Sequence, residues 1–428
     1  MWASEFLTYR GGELWLEDCS VRELADRHGT PLYLYSRGHL EARYRELQTA
    51  LAELQPHFFY AVKANSCGAV IRVFAELGAG ADVVSGGELY RARRAGIPAA
   101  RCVFAGVGKT AEEIAYALGE GIGYFTVESE AELERLDEIA RRLGGRARIA
   151  LRVNPDVDPQ THKYTSTGKR ENKFGVDLER AERAYADAAR RPGLEIVGLH
   201  MHLGSPIMTV EPYAQAADKV LPLCAEWRRR YPSFRVLDLG GGFGIPYRPE
   251  QAPFDLAALA RELAPRLRGA GLQVAFEPGR FLVGNAGALV TRVQYLKDNP
   301  FKQFVIGDAA MNDLIRPPLY QAHHEIAPVR ATAETVLGDL VGPICESGDF
   351  LAAERQLPAV RAGDLLVILS AGAYGFAMAS NYNSRGRAAE ALVSGATARL
   401  ARARETWADL VRAEDVAETG APGGGAQR

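Results

Sequence analysis

A lysine at the end of an apolar run is the first residue of this chain that could carry covalent chemistry. Positions 58–62 before Lys63 are apolar and mostly aromatic or β-branched, and Asn65 and Gly68 follow Lys63, which predicts a buried strand over residues 58–64. Burying an unpaired ammonium is costly and lowers its pKa, which makes the amine a nucleophile able to form a Schiff base. A side chain that reaches the surface where the strand ends would explain Lys63 equally well. Its role therefore depends on the residues that accompany it.

Glycines and an arginine follow other predicted strands. Gly240, Gly241 and Gly242 are consecutive, and such a turn lets backbone N–H groups approach a phosphate closely, although many glycine runs are only flexible turns. Glu277 ends another strand, and Arg280 close behind it could hold a phosphate or carboxylate through two hydrogen bonds, or form a salt bridge at the rim.

Two histidines, His200 and His202, stand two positions apart on a predicted strand and therefore share a face. That spacing suits a metal, but the sequence offers no third ligand nearby, so we predict no metal site. For His200, a hydrogen-bonded core histidine is the alternative.

These residues need elements that bring them together, and the segments between positions 58 and 277 alternate regularly. Strands are predicted at residues 58–64, 81–85, 102–105, 124–127, 148–153, 195–203, 235–239 and 273–277. Helices are predicted at residues 39–54, 70–77, 87–95, 111–118, 129–143, 178–190, 213–230 and 256–267. This rhythm predicts an α/β fold with a (β/α)8 TIM-type barrel, whose active site lies at the carboxyl ends of the strands. Periodicity alone also permits a doubly wound sheet.

The regular alternation of strands and helices ends after Gly284. Strands without long intervening helices are predicted at residues 288–295, 303–307, 325–329, 334–341 and 365–369. We therefore expect a barrel domain at residues 37–283 and a mostly β C-terminal domain at residues 284–417, which residues 1–36 join. Residues 418–428 are expected to form a disordered tail.

The bulk composition excludes several classes of protein. With 428 residues, 47% hydrophobic and 24% charged, and a net charge of -2, the chain has an ordinary globular composition and no basic surface for nucleic acid or an acidic membrane. No apolar run is long enough to span a membrane or to serve as a signal peptide. The five cysteines are scattered without CxxC spacing, so we expect neither a disulfide framework nor a zinc site, and a cytoplasmic location.

A lysine amine, a phosphate-binding turn and a carboxylate at one barrel mouth together suggest pyridoxal 5'-phosphate. That cofactor needs a lysine for its aldehyde, an acidic partner that keeps its ring nitrogen protonated, and anchors for its phosphate. Lys63, Gly240–Gly242 and Glu277 supply one of each.

The motifs resemble those of the pyridoxal-phosphate decarboxylases with the alanine-racemase-like barrel (fold type III). The matching segments are residues 60–65, 202–205, 240–244, 277–280, 345–349 and 372–375. Within that group the chain is most similar to the diaminopimelate decarboxylases, in residues 166–168, 172–175, 311–320 and 380–385. The resemblance extends from about residue 13 to about residue 410, and implies decarboxylation of meso-2,6-diaminopimelate to L-lysine, the last step of lysine biosynthesis.

The resemblance also implies a role for each site residue. Lys63 would bind the cofactor covalently, His202 would stack on its ring and Glu277 would pair with its ring nitrogen. The other cofactor contacts would come from Ser205, Gly240, Gly241, Gly242, Pro278, Gly279, Arg280 and Tyr374. The substrate's far carboxylate would be held by Arg280, Arg316 and Tyr320, with Tyr374 nearby, and its far ammonium by Glu346.

By the same resemblance, Cys345 would supply the proton that replaces the lost carboxyl group. An inert buried thiol is the alternative for Cys345. In the family Cys345 and Glu346 reach the partner subunit's barrel, so the resemblance implies a homodimer with shared active sites. The zwitterionic far end of diaminopimelate suits two guanidinium groups and one carboxylate, and such a pocket rejects simpler amines.

Three other functions compete with this one. A decarboxylase of the same fold could act on ornithine, lysine or a carboxylated polyamine such as carboxynorspermidine, but Arg316, Tyr320 and Glu346 favour a substrate with an amino-acid group at both ends. An amino-acid racemase would place an arginine, not Glu277, at the ring nitrogen. A non-catalytic regulatory relative is expected to lack Lys63 or Cys345, and the chain has both.

Overall fold

A computed structural model describes residues 6–158 and 174–414 of the chain. The predicted tail at residues 418–428 and most of the motif residues at 166–168 and 172–175 lie outside these ranges. Throughout the described part, no helix has the length and apolar character needed to cross a membrane.

Eight parallel strands close into a barrel. They are His57–Ala61, Gly80–Val83, Cys102–Phe104, Tyr124–Val127, Ala147–Asn154, Leu194–His200, Val236–Asp238 and Gln273–Phe276. The last strand pairs with the first through Ala275 and His57, which closes the ring. A separate apolar cluster fills the barrel with Phe59, Val103, Tyr124, Ala150, Val197 and Ala275. Closure confirms the barrel and excludes the doubly wound sheet.

Helices connect the barrel strands and cover them. They are Gly68–Glu76, Gly86–Arg94, Ala111–Gly119, Glu130–Arg142, Leu178–Ala188, Glu211–Arg230 and Leu256–Leu267, with Arg37–Ala50 before the first strand. Most of these helices begin at a side chain that accepts a hydrogen bond from the backbone N–H three residues later, which satisfies a donor that the helix leaves open. These capping residues are Ser36, Ser85, Thr110, Ser129, Asp177 and Asp255. A two-residue strand, Val176–Asp177, extends the sheet beside Ala147–Asn154.

A second, mostly antiparallel sheet is built from both ends of the chain. Its strands are Leu32–Ser36, Gly287–Asp298, Gln303–Gly307, Ile326–Pro328, Thr335–Val341, Phe350–Pro358, Leu365–Ile368, Ala389–Ser394 and Thr397–Arg402. Leu32–Ser36 is entirely buried and lies between Gly287–Asp298 and Ala389–Ser394. Residues near the N-terminus therefore form the centre of this sheet, as expected, although the exact domain bounds stay a prediction.

Short elements complete the described part. A three-stranded sheet comprises Leu7–Arg10, Glu13–Leu16 and Cys19–Ser20. The remaining α-helices are Val21–His28, Arg280–Val283, Arg316–Tyr320 and Trp407–Val411, and the 3₁₀ turns are Ala52–Leu54, Val62–Ala64, Ala99–Arg101, Phe376–Met378 and Tyr382–Ser384. Of these, the turn Val62–Ala64 and the helices Arg280–Val283 and Arg316–Tyr320 carry residues of the candidate site.

Candidate active site

Lys63 lies in the turn that follows the first barrel strand, not on the strand itself. The strand ends at Ala61, and Val62–Ala64 forms a 3₁₀ turn whose lysine Nζ makes an ion pair with Oδ2 of the fully buried Asp82. Burial disfavours the charged amine, but the nearby carboxylates of Asp82 and Glu277 outweigh it, so the pKa of Lys63 is raised. The prediction of an unpaired lysine with a lowered pKa is therefore wrong, because it omitted Asp82.

Glu277 follows the eighth strand and belongs to a buried cluster of titratable groups. Its Oε2 lies 3.1 Å from His200 Nε2, and potential ligand atoms of His200, Asp238 and Glu277 all lie within 4.8 Å of one another. Tyr124 donates a 2.7 Å hydrogen bond to Asp238. Burial, reinforced by neighbouring carboxylates, raises the pKa of Glu277 to about 8 and that of Asp238 to about 7.

The two histidines have different surroundings. His200 faces Glu277 and Asp238, so the sequence-based statement that no further ligand lies nearby is wrong for His200. His202 lies beyond the strand end, and its Nδ1 accepts a hydrogen bond of 3.2 Å from the backbone N–H of Gly241. Burial lowers the pKa of His202 well below its usual value, and the charges of Arg152 and Lys63 lower it further. The ring of His202 is therefore neutral.

The glycine turn packs directly against Glu277. Gly240 has a φ of +69°, and its carbonyl accepts the backbone N–H of Glu277 at 2.8 Å. A Cβ at position 241 would lie 2.0 Å from the carbonyl oxygen of Glu277. The close approach of two backbones therefore requires glycine at position 241.

The residues after Glu277 hold the lysine turn from one side, and Tyr374 holds it from the other. Ala61 donates its N–H to the carbonyl of Pro278 at 3.1 Å, and Gly279 packs against Ala61. Tyr374, from the second sheet's side of the molecule, donates its N–H to the carbonyl of Ala64 at 2.7 Å. Both domains therefore fix the position of Lys63.

A cavity of about 440 Å³ opens beside this turn. It brings together the predicted residues Ser205, Arg280, Arg316, Tyr320 and Tyr374. The sequence analysis missed the other lining residues, which are Pro206, Tyr247, Arg248, Gln251, Gln321, Ala322 and His323.

The arginines of the cavity are held by hydrogen bonds and aromatic rings. Arg280 donates from Nη1 to the Tyr247 hydroxyl at 2.6 Å and from Nε to Ser205 Oγ at 3.3 Å. Its guanidinium lies 4.9 Å from the ring centre of Tyr374, and that of Arg316 lies 5.9 Å from the ring centre of Tyr320. Both guanidinium groups are buried and presented to one cavity.

Cys345 and Glu346 are not part of this arrangement within one chain. Both are exposed, and Cys345 donates its backbone N–H to Asn383 Oδ1 at 2.7 Å. Asp349 fixes the segment by accepting the N–H groups of Met311 and Ile344. Across the described ranges, no hydrogen bond or ion pair joins Cys345 or Glu346 to the cavity residues. The alternative of a buried thiol is wrong.

Comparisons with known proteins identify the family of the chain. Residues 37–284 match the family model described as "Pyridoxal-dependent decarboxylase, pyridoxal binding domain". The chain is 49% identical to the diaminopimelate decarboxylase of Aquifex aeolicus over 95% of its length and 96% of that protein. It is 50% identical to the diaminopimelate decarboxylase of Pseudomonas aeruginosa over 96% and 98% of the two lengths. The chain belongs to the diaminopimelate decarboxylase family.

A solved structure of that family has the same fold. The diaminopimelate decarboxylase of Helicobacter pylori, complexed with L-lysine, superimposes with a TM-score of 0.88 at 40% identity, covering 92% of this chain and 98% of that one.

The site residues fit pyridoxal phosphate, the cofactor named in the description of the matching family model. Oε1 of Glu277 and Oδ1 of Asp82 are buried acceptors without a hydrogen-bond partner in the described part of the chain, and a bound donor would satisfy such an atom. Burial raises the pKa of Glu277 and of Asp238, and a cationic ring nitrogen bound beside Glu277 would favour its carboxylate form. The sequence analysis missed Asp82 and Asp238. Asp82 is the next-to-last residue of its strand and Asp238 the last of its own, so acidic residues near the carboxyl ends of predicted strands were a signal that could have found them.

Proposed function

We propose that this member of the diaminopimelate decarboxylase family removes one carboxyl group of meso-2,6-diaminopimelate as carbon dioxide and releases L-lysine, with pyridoxal 5'-phosphate as its cofactor. The observation that carries the proposal is the pair of buried arginines, Arg280 and Arg316, on one cavity that is also lined by Tyr374, whose N–H holds the turn of Lys63. Guanidinium groups bind carboxylates through paired hydrogen bonds, so this wall suits a substrate with a second carboxylate.

Several residues of the barrel mouth would hold the cofactor. Lys63 would join its aldehyde, and Asp82 accepts a hydrogen bond from the lysine Nζ. Glu277 would accept the ring N–H, and the neutral His202 would lie on the ring face. Phosphate contacts would come from Ser205, Gly240, Gly241, Gly242, Gly279 and Tyr374, with Pro278 and Arg280 beside them. When bound, the cofactor supplies an electron-accepting ring that weakens the bond to the departing carboxyl group.

The chain's own residues would then select and orient the substrate. Arg280, Arg316 and Tyr320 would hold its far carboxylate, with Tyr374 completing the wall, and this fixes which carboxyl group reaches the cofactor. Glu346 would bind the far ammonium, and Cys345 would donate the proton from Sγ to the carbon that lost carbon dioxide.

We infer that Cys345 and Glu346 act in the other subunit of a homodimer. Their exposure, together with the ordered loop that Asp349 maintains, supports this inference, because exposed groups are available to a partner. The proposal also includes a cytoplasmic location, which is where a lysine biosynthetic enzyme meets its substrate.

The proposal is tested by incubating the purified chain with pyridoxal 5'-phosphate and meso-2,6-diaminopimelate. We expect equal amounts of carbon dioxide and L-lysine, measured by gas release and by chromatography of the amino acids. Ornithine and L-lysine serve as competing substrates, and faster carbon dioxide release from either would replace the proposal with a decarboxylase of that amino acid.

A further inference from the structure

Arg280 and Arg316 share one wall although their charges repel. In the described part of the chain, no carboxylate lines the cavity that both arginines face. Burial, together with the charge of Arg280, lowers the pKa of Arg316. Two buried guanidinium groups stay beside each other only if neutral groups hold them there, since each would otherwise turn toward solvent.

Tyr247 lies between the two arginines. Its hydroxyl accepts the 2.6 Å hydrogen bond from Arg280 Nη1, and its ring centre lies 5.3 Å from the guanidinium of Arg316. Burial alone would raise the pKa of the phenol, but the charges of Arg280 and Arg316 outweigh it and the pKa of Tyr247 is lowered. One side chain therefore contacts both cations, one through its oxygen and the other through its π face.

His324 also contacts Arg316. Its Nδ1 lies 2.9 Å from the carbonyl oxygen of Leu369, so Nδ1 carries the hydrogen and Nε2 is an acceptor. Arg316 Nε donates to that Nε2 at 3.3 Å, and the ring packs edge-on against Tyr247 with 5.4 Å between centres. Burial and the charge of Arg316 lower the pKa of His324 to about 3, which keeps it an acceptor at neutral pH.

We propose that Tyr247 and His324 are positioning residues that set the orientation of Arg280 and Arg316, and so determine the preference for a substrate with a carboxylate far from the reacting carbon. Neither residue needs to touch the cofactor. The inference rests on the proposed function, in which the two arginines bind that carboxylate. A long arginine side chain loses much of its advantage as a ligand when it must be ordered at the moment of binding.

The test compares two ligands of the cofactor-loaded enzyme, L-lysine and 1,5-diaminopentane, which differ only in the carboxylate. Isothermal titration gives the dissociation constant of 1,5-diaminopentane divided by that of L-lysine. This ratio is measured for the wild type and for Tyr247→Phe, which keeps the ring but removes the acceptor. We expect the ratio to fall about ten-fold, because a hydrogen bond to a charged group is lost, while 1,5-diaminopentane binds as before. His324→Leu should lower the ratio similarly, and His324→Gln, which keeps an acceptor, should restore part of it.

Tyr90→Phe is the matched control, because Tyr90 is exposed on the helix Gly86–Arg94 away from the cavity. Equal weakening of both ligands by Tyr247→Phe, or an unchanged ratio, would overturn the inference. Arg316→Ala distinguishes failure of the positioning role from failure of the proposed carboxylate site. If it lowers the ratio and Tyr247→Phe does not, the positioning role fails alone, whereas an unchanged ratio in Arg316→Ala removes the proposed carboxylate site itself.

Discussion

Replacing Glu277 by glutamine should stabilise the cofactor-free protein at neutral pH while impairing the enzyme. Glu277 is 5% exposed, and its nearest partner, His200, is a neutral ring because burial lowers the pKa of His200 to about 4. The charges of Lys63 and Arg152 offset only part of the cost of burying a carboxylate there. An amide keeps the shape and the hydrogen bond to His200 without the charge.

The size of the effect follows from the pKa of Glu277, which burial raises from 4.5 to about 8. The folded chain then binds more protons than the unfolded chain between these pH values, so the free energy of unfolding falls as pH rises through that window. The raised pKa costs about 3 kcal/mol of folding free energy at neutral pH, where folding makes Glu277 take up a proton, and below about 1 kcal/mol near pH 5. Allowing for relaxation of the site, we expect Glu277→Gln to gain about 2 kcal/mol at neutral pH and almost nothing near pH 5.

Urea unfolding of the cofactor-free protein at both pH values measures the difference. Glu134→Gln is the control, since Glu134 is exposed on the helix Glu130–Arg142 and should show no gain. The cofactor-loaded Glu277→Gln enzyme should lose most of its decarboxylase activity, because the ring nitrogen loses its anionic partner. A gain of equal size at both pH values, or no gain at all, would refute the reasoning from burial.

Three further predictions concern the cofactor, the dimer and the glycine turn. Lys63→Ala should abolish the visible absorbance of the covalently bound cofactor, and a retained band with full turnover would contradict the assignment of Lys63. Mixing Lys63→Ala and Cys345→Ala subunits should restore part of the activity, since one of the two shared sites then has both residues. If mass measurement shows that heterodimers have formed and no activity returns, shared sites are excluded. Gly241→Ala should weaken pyridoxal phosphate binding at least ten-fold in a fluorescence titration, because its Cβ meets the Glu277 carbonyl, whereas Gly145→Ala has open space and should bind normally.

The sequence predicted the barrel well because its strands carry local signals. Tyr124–Val127 and Leu256–Leu267 have the predicted bounds, since each is an apolar or amphipathic segment between clear breakers. The sequence could not show that the chain leaves the first strand at Ala61. The apolar run continues to Val62, and the turn is held by Pro278 and Tyr374, which are distant in the sequence.

Charged residues inside the second sheet concealed other elements. The strands Phe350–Pro358, Ala389–Ser394 and Thr397–Arg402 were missed. Glu390 is fully buried in one of them, where Tyr35 and Arg402 satisfy it, and a charged residue in a short segment argues against a buried strand when read alone. Asp82 lies in a strand that was predicted, at residues 81–85, but its pairing with Lys63 was missed because pairing across strands has no local pattern.

The central strand Leu32–Ser36 has a consequence for synthesis of the chain. It leaves the ribosome early, yet its neighbour Ala389–Ser394 emerges only after the whole barrel has been made. This apolar segment with two tyrosines and two leucines has both edges open until Gly287–Asp298 is made, and one edge open until Ala389–Ser394 emerges. The nascent protein therefore carries an open strand edge that can template aggregation until its last strands are made, and a chaperone that covers residues 32–36 would act during that period.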